Sequence, residues 1–315
     1  MAIQQLVDGS ESSLRRFLQT LPPVDQVGAH ERAAMLGTRS IKTTSKKWAI
    51  DMAISMVDLT TLEGADTPGK VRALCSKALR PDPRDLSVPH VGAVCVYNDM
   101  VGIARQHLDS IGGHDLPVAA VSTAFPSGRA SHTVKIQDTK DAIELGATEI
   151  DMVIDRGAFL SGKLGEVFDE ISAIKSICGE QAHLKVILET GELVTLDNVR
   201  KASYLAMLAG ADFIKTSTGK VTPAATPPVV LVMLEAVRDY FAMTNNRIGV
   251  KPAGGIRTTK DAIKQLVLVN EIAGPEWLDP SLFRIGASAL LNDLLMQRMK
   301  MANGRYSSSN YVTVD

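Results

Sequence analysis

The chain has 315 residues, of which 45% are hydrophobic and 22% are charged. This composition is typical of a globular protein with a substantial core, and it excludes a chain that is disordered throughout. Its 34 basic and 35 acidic residues leave a formal net charge of -1, so no overall field attracts nucleic acid or an anionic membrane.

The use of cysteine indicates a reducing compartment. Cys75, Cys95 and Cys178 are far apart and form no CxxC pair. The N-terminal segment lacks the apolar stretch of a signal peptide, and its acidic residues argue against a transit peptide. Because no run of eighteen apolar residues occurs either, we expect a cytoplasmic protein without a membrane span.

Residues 1–48 contain apolar residues at helical spacing and predict an N-terminal helical extension that packs outside the main domain. From residue 49 to residue 300, short β-rich apolar runs alternate with longer segments of helical period. The predicted strands begin near Met56, His90, Val118, Glu149, Leu184, Phe213, Ile248 and Leu282. Residues 301–315 are rich in Ser and Asn, which predicts a flexible C-terminal tail.

Several helix starts can be read from the residues that precede them. Asp66 or Thr67 can cap a helix that opens at Pro68, a residue favoured in the first turn. Asn98 or Asp99 can cap the next helix. These signals support the alternation of strands and helices.

Eight strand and helix units, with strand ends about 33 residues apart, match the size of a βαβ unit. Eight such units can close into a single-domain (β/α)₈ TIM barrel, which is the predicted α/β fold. An open doubly wound sheet is the structural alternative. That sheet usually carries a Gly-rich fingerprint after its first strand, and this sequence has none there.

Lysine ends two consecutive apolar runs, Phe213-Ile214-Lys215 and Ile248-Gly249-Val250-Lys251. A buried ammonium is so costly that it tends to lose its proton, and a neutral amine is a nucleophile. Two lysines on neighbouring strands would also repel each other as cations, so we expect one to have a lowered pKa. The alternative, a lysine that protects an edge strand, requires an edge, which a closed barrel lacks.

Polar residues also end other predicted strands, where barrel enzymes place their active sites. Strand alternation points Asp151 into the barrel, where it could move protons or serve as a structural carboxylate. Asp58 and Thr60 follow the first run, and Asp58 could instead hold a backbone turn. Cys95 in the second run could line a site or be a small core residue.

Glycines follow the last three predicted strands, and they predict a phosphate site. Barrels often bind phosphate there through loop amides and a helix N-terminus. Tight turns alone could also explain these glycines. The predicted phosphate residues are Gly219, Lys220, Gly254, Gly255, Gly286 and Ser288.

Two motifs do not meet the requirements of the sites they resemble. Gly64 to Lys70 matches most of a Walker A pattern, but Val71 replaces the required Ser or Thr, and Pro68 removes an amide. The six histidines are scattered without the spacing of a metal site, which disfavours a zinc-dependent aldol mechanism. No metal or cofactor is therefore predicted.

Five segments together resemble the deoxyribose-phosphate aldolases. They are Asp58-Leu59-Thr60-Thr61-Leu62, Glu189-Thr190-Gly191-Glu192-Leu193, the run from Phe213 to Lys220, the run from Lys251 to Arg257, and the run from Arg284 to Ser288. The resemblance spans about residues 50 to 295. It implies reversible cleavage of 2-deoxyribose 5-phosphate into acetaldehyde and glyceraldehyde 3-phosphate, a step of deoxyribonucleoside catabolism.

The same resemblance assigns roles to the candidate residues. It makes Lys215 the Schiff-base lysine, with Asp151 and Lys251 as a proton relay and Lys251 keeping Lys215 neutral. Asp58, Thr60, Cys95 and Thr218, which lie at predicted strand ends, join the phosphate residues as predicted substrate contacts. Two positions depart from the family pattern: Ala289 stands where a second serine is common, and the last residue is Asp315 rather than tyrosine, which leaves Tyr306 or Tyr311 as stand-ins.

The partners expected on these grounds are a sugar phosphate and small aldehydes, and the chain could also assemble with copies of itself. One alternative is a Schiff-base aldolase that acts on another phosphorylated sugar. Another is a barrel that serves as a non-catalytic binding scaffold, although such a scaffold has no need for buried charges.

Overall fold

The computed structural model describes residues 7–306, 308 and 312. The strands alternate with helices and are all parallel in one sheet. They are β1 (Val57–Thr60), β2 (Ala93–Tyr97), β3 (Val118–Ser122), β4 (Glu149–Val153), β5 (His183–Ile187), β6 (Phe213–Lys215), β7 (Gly249–Lys251) and β8 (Ile285–Ala287). The predicted strand starts agree with these bounds, although β2 and β8 each begin three residues later than expected.

The strand order is β7-β6-β5-β4-β3-β2-β1-β8, so neighbours in sequence are neighbours in space and β1 pairs with β8. Bridges from Val250 to Phe283 and from Ala253 to Gly286 join β7 to the segment around β8. The sheet therefore closes on itself, and the predicted (β/α)₈ TIM barrel is confirmed.

The helices of the described chain form a layer around the barrel. They are α1 (Glu11–Thr20), α2 (Gln26–Leu36), α3 (Thr43–Ser55), α4 (Pro68–Leu79), α5 (Val101–Ser110), α6 (His132–Glu144), α7 (Arg156–Leu160), α8 (Leu164–Cys178), α9 (Leu196–Leu208), α10 (Pro227–Thr244), α11 (Thr259–Ile272) and α12 (Leu290–Asn303). Within the described residues, no helix is long and apolar enough to cross a membrane.

Two of the predicted helix starts can be compared with the structure. Thr67 caps α4, because its hydroxyl oxygen accepts from the backbone N–H of Lys70. The prediction for α5 is wrong: Asn98 and Asp99 lie inside a short 3₁₀ turn that precedes the helix. The side-chain amide of Asn98 instead donates to Asp138 on α6, so its polar group ties two helices together.

The main core lies between the strands and the helix layer. Side chains such as Val94, Ile150 and Val186 alternate outward from the strands and are fully buried against the helices. Each such side chain contributes about 1.5–3 kcal/mol when it leaves water. The alternate residues of the same strands point into the barrel, and this inner face carries the charged groups.

The N-terminal helices pack on the outside of the helix layer, with α1 on α8 and α9, α2 on α10 and α11, and α3 on α11 and α12. Arg32 of α2 forms an ion pair with Glu235 of α10 at 2.6 Å. The division of the chain at residues 48 and 300 stays a prediction, because α3 crosses the first boundary and α12 crosses the second.

Candidate active site

Lys215 and Lys251 are the last residues of β6 and β7, and they are directly paired in the register of these strands. Parallel pairing places equivalent residues side by side, so both lysine side chains leave the same end of the barrel. Lys215 is 3% exposed and Lys251 is fully buried. The structure thus brings the two predicted lysines together at one point of the barrel interior.

Asp151 lies between the two amines. It sits in the middle of β4, is fully buried, and points into the barrel as strand alternation predicts. The side-chain nitrogens of Lys215 and Lys251 each lie 2.7 Å from the same oxygen, Oδ2 of Asp151. One carboxylate oxygen therefore links both amines.

A second layer of buried charge lies deeper in the barrel. Asp58 contacts Lys251 at 2.5 Å and Arg284 at 2.7 Å. Arg284 also reaches Glu149 at 3.1 Å, and Glu149 forms an ion pair with Lys185. Charges at such distances in a dry interior interact strongly, so the two layers form one connected network.

Lys185 connects the carboxylates of both layers. Its side-chain nitrogen lies 3.6 Å from Oδ1 of Asp151 and 3.9 Å from Oδ2 of Asp58. It also lies 5.6 Å from the centre of the Phe213 ring, which fixes it on the inner face of the sheet. The site prediction did not include Lys185, Glu149 or Arg284, although a lysine inside the apolar run of β5 is the same signal that identified Lys215.

The charges in this network decide the pKa of each carboxylate. Burial alone would raise the pKa of Asp151, but the positive charges of Lys215, Lys251 and Lys185 outweigh it and hold that pKa well below the usual range. Burial alone would also raise the pKa of Asp58. The positive charges of Lys251 and Arg284 outweigh burial, so the pKa of Asp58 is lowered as well. Both carboxylates are therefore anionic at neutral pH.

Lys251, the expected charged neighbour of Lys215, has a shifted pKa of its own. Burial alone would lower the pKa of Lys251, but Asp151 and Asp58 together raise it well above its ordinary value. Lys251 is thus the permanently cationic member of the pair.

A cavity of about 500 Å³ opens above Lys215 at the C-terminal ends of the strands. Its lining includes most of the predicted substrate residues: Thr60, Thr218, Gly219, Lys220, Gly254, Gly255, Gly286 and Ser288. Lys70 and Arg257 also line it and were not predicted. A larger cavity of about 640 Å³ lies at the opposite end of the barrel beside Asp212 and Arg247, away from all predicted site residues.

Three features suit this cavity to a phosphate group. Gly219, Gly254 and Gly255 have φ values between 82° and 85°, a left-handed conformation that favours glycine and exposes backbone amides. Ser288 and Ala289 line the cavity and directly precede α12, so the N-terminus of this helix, which favours an anion, lies beside the cavity. Lys220 and Arg257 add positive charge at the rim.

The loop after β6 is held by the buried carboxylate of Glu189, which belongs to one of the segments that carry the resemblance but was given no role in the predicted site. Both Glu189 oxygens accept from the backbone N–H of Thr218 at 3.3 Å, and one also accepts from its hydroxyl at 2.5 Å. Glu189 itself has φ 51°, a left-handed conformation that is uncommon outside glycine. The hydroxyl oxygen of Thr218 in turn accepts from the N–H of Lys220.

Some predicted residues lie beside the cavity rather than in it. Cys95 is fully buried, 4.0 Å from Asp151 Oδ2, and burial raises the pKa of its thiol, so it is a neutral neighbour of the carboxylate. Asp58 is fully buried and does not line the cavity, but its backbone carbonyl accepts from the hydroxyl of Thr60, which does. Tyr306 is exposed and packs on Lys300 near the end of α12, not at the cavity, and Tyr311 lies outside the described residues.

The Walker-like segment from Gly64 to Lys70 forms the start of α4. Pro68 is the first residue of this helix, and Lys70 forms an ion pair with Asp66 at 2.7 Å. Across residues 7–306, 308 and 312, no group of three or more His, Cys, Asp or Glu side chains could hold a metal ion.

The sequence profile of the DeoC/LacD family aldolases matches residues 52–295. The human deoxyribose-phosphate aldolase is 48% identical over 278 residues, which cover 85% of this chain and 87% of the human protein. The bovine deoxyribose-phosphate aldolase is 45% identical over 296 residues, with 90% and 92% of the two chains covered.

Solved structures share the fold. The deoxyribose phosphate aldolase of Aeropyrum pernix, described as a unique tetramer, superposes with a TM-score of 0.64 at 24% identity. The superposition covers 87% of this chain and 98% of that one. The family profile spans most of the barrel, and the curated relatives are similar over nearly their whole length. The chain belongs to the DeoC/LacD family of aldolases.

Proposed function

We propose that the chain is a class I aldolase that reversibly cleaves 2-deoxy-D-ribose 5-phosphate into acetaldehyde and D-glyceraldehyde 3-phosphate. The observation that carries this proposal is the pair of lysine nitrogens on one oxygen of Asp151, at the floor of a cavity with a phosphate-type rim. The family and the names of its close relatives supply the substrate.

Lys215 is the nucleophile in this proposal. The buried network contains three carboxylates and four basic side chains: Asp58, Glu149, Asp151, Lys185, Lys215, Lys251 and Arg284. If Lys215 is the neutral member, three cations balance three anions. Lys215 is also the one of the three lysines that lines the cavity, so its amine can reach an aldehyde.

The reaction then follows from the positions of these groups. The Lys215 amine adds to the C1 aldehyde of the sugar, and loss of water gives an iminium. The Asp151 carboxylate takes up the proton of the C3 hydroxyl through a water as the bond between C2 and C3 breaks and its electron pair moves toward the iminium nitrogen, which releases glyceraldehyde 3-phosphate. Asp151, supported by Lys251, then returns this proton through a water to C2 of the remaining enamine, and hydrolysis frees acetaldehyde.

The remaining contacts hold the two ends of the substrate in this proposal. Lys220, Ser288 and the glycine amides bind the phosphate, and Thr218 with Thr60 faces the carbon chain between the phosphate and Lys215. Asp58 supports Lys251 from below, and Cys95 packs beside Asp151. No cofactor enters any step.

An enzyme-coupled assay of acetaldehyde release tests this function. We expect cleavage of 2-deoxyribose 5-phosphate and little or none of ribose 5-phosphate. Cleavage of a different sugar phosphate at a higher kcat/KM would support the alternative aldolase. Failure to cleave any sugar phosphate, with Lys215 intact, would favour the binding scaffold.

Two further expectations can be tested separately. The cytoplasmic location rests on the cysteine usage and composition, and cell fractionation tests it. Self-association is suggested by the Aeropyrum pernix relative, which is described as tetrameric, and light scattering of the purified chain tests it.

A further inference from the structure

Glu63 lies at the rim of the candidate active-site cavity, in the loop between β1 and α4. Of the described residues that line this cavity, it is the one with a carboxylate, whereas Lys70, Lys215, Lys220 and Arg257 are basic. Its Oε1 lies 3.0 Å from the side-chain nitrogen of Lys220, which bridges the β1 and β6 sides of the opening. The proposed phosphate ligand is thus already paired with a carboxylate.

The loop that carries Glu63 is fixed by Asp66. One Asp66 oxygen accepts from the backbone N–H of Glu63 at 3.0 Å, and the other accepts from the hydroxyl of Thr61 at 2.8 Å. Lys70 also pairs with Asp66 at 2.7 Å. Asp66 thus fixes the backbone of Glu63 at the cavity rim.

We propose that Glu63 is a specificity-determining residue that competes with the substrate phosphate for Lys220. This inference rests on the proposed function, since it concerns the phosphate end of the same cavity. To bind the phosphate, Lys220 must exchange the carboxylate of Glu63 for the incoming dianion, and the released carboxylate then stands close to a like charge. Glu63 therefore weakens phosphate binding and raises KM for phosphorylated substrates without touching the reacting carbons.

The size of the effect follows from the exposure of the pair. The Lys220 side chain is 33% exposed and that of Glu63 is 66% exposed, so solvent screens their attraction. Exposed ion pairs of this kind change an equilibrium by about two- to five-fold. The effect should shrink as the ionic strength rises.

The test compares Glu63→Gln with a matched control, Glu192→Gln. Glu192 is also an ion-paired surface glutamate, with Arg156 at 2.5 Å, but it does not line the cavity. Isothermal titration with inorganic phosphate at low salt measures the affinity directly. We expect Glu63→Gln to bind phosphate about two- to five-fold tighter than the parent, and Glu192→Gln to match the parent.

Kinetics supply the second readout. In Glu63→Gln, KM for 2-deoxyribose 5-phosphate should fall by the same factor with little change in kcat, and KM for unphosphorylated 2-deoxyribose should not fall. In a Lys220→Met background, Glu63→Gln should give no gain in phosphate affinity. A gain that persists without Lys220, an equal gain in Glu192→Gln, or unchanged affinity in Glu63→Gln would overturn the proposal.

These outcomes separate the inference from the proposed function. If the parent cleaves no sugar phosphate but Glu63→Gln binds inorganic phosphate more tightly through Lys220, the proposed function fails and the competition stands. If the parent cleaves the sugar phosphate and Glu63→Gln binds phosphate like the parent, the function stands and the competition is refuted.

Discussion

Lys215 and Lys251 are directly opposite each other on β6 and β7, yet their environments differ. Lys215 lines the cavity, whereas Lys251 is fully buried between Asp58 and Asp151, which raise its pKa well above the ordinary value. The two lysines are therefore unequal before any substrate arrives. One is placed to react with an aldehyde, and the other supplies a fixed positive charge next to it.

Removal of the Lys251 charge should impair the nucleophile. In Lys251→Leu, the positive charge beside Lys215 is lost, and Asp151 loses the amine that supports its proton transfer. We expect kcat/KM to fall by about 10²–10⁴-fold at neutral pH. The control Lys251→Arg keeps the charge and should keep more of the activity than Lys251→Leu. A Lys251→Leu variant with the kcat/KM of the parent would contradict a role of Lys251 in the reaction.

Asp151→Asn should separate Schiff-base formation from proton transfer. The amide keeps the shape of the side chain but cannot shuttle a proton to and from the enamine. We expect the exchange of acetaldehyde methyl protons with D₂O, followed by NMR, to slow by about 10²–10⁴-fold. Thermal denaturation checks that the variant is folded, since the two lysines lose their shared counter-charge. Exchange at the parent rate would exclude Asp151 as the proton carrier.

Loss of one partner of the ion pair between Lys185 and Glu149 should destabilise the fold more than loss of both partners. Lys185→Met leaves Glu149 buried with less positive charge nearby, which we expect to cost about 3–5 kcal/mol in the free energy of unfolding. Lys185→Met combined with Glu149→Gln removes both charges and should cost less than the single change. Chemical denaturation measures the parent, Lys185→Met, Glu149→Gln and the double variant. A double variant whose loss equals the sum of the two single losses would argue against coupling.

Gly254 and Gly255 allow a matched comparison. Both have φ 85°, so an alanine at either position is strained by about 1–2 kcal/mol. At Gly254 the added methyl would lie 2.7 Å from the Cβ of Ala224, whereas at Gly255 it would meet nothing within 4 Å. We expect Gly254→Ala to lose more stability and to raise KM for the sugar phosphate more than Gly255→Ala. Equal losses in both variants would show that backbone strain, and not the contact with Ala224, determines the loss.

The barrel and the central site residues could be predicted from individual strand segments of the sequence. The eight-fold alternation predicts the barrel, and the charge at the ends of β6 and β7 predicts the reactive pair. Strand alternation places Asp151 inside. These predictions succeed because burial, strand period and parallel register are local properties that a sequence displays directly.

Other features depend on distances across the barrel, which no single segment reveals. Glu149 begins β4, Lys185 lies within β5 and Arg284 precedes β8, and they form one network only after closure. A search restricted to strand ends passes over all three. The raised pKa of Lys251 has the same origin, because Asp58 and Asp151 reach it from other strands. Glu63 could not be identified either, because it lies in an exposed loop and its proposed role depends on a single contact, the ion pair with Lys220.

Borohydride trapping tests the central claim most directly. Incubation of the protein with acetaldehyde and sodium borohydride reduces any iminium to a stable secondary amine, and peptide mass mapping then locates the added ethyl group. We expect the ethyl group on Lys215, with Lys185 and Lys251 unmodified and no adduct in Lys215→Met at the corresponding peptide. A modification that maps to Lys251, or a parent protein that gives no active-site adduct, would contradict Lys215 as the Schiff-base lysine.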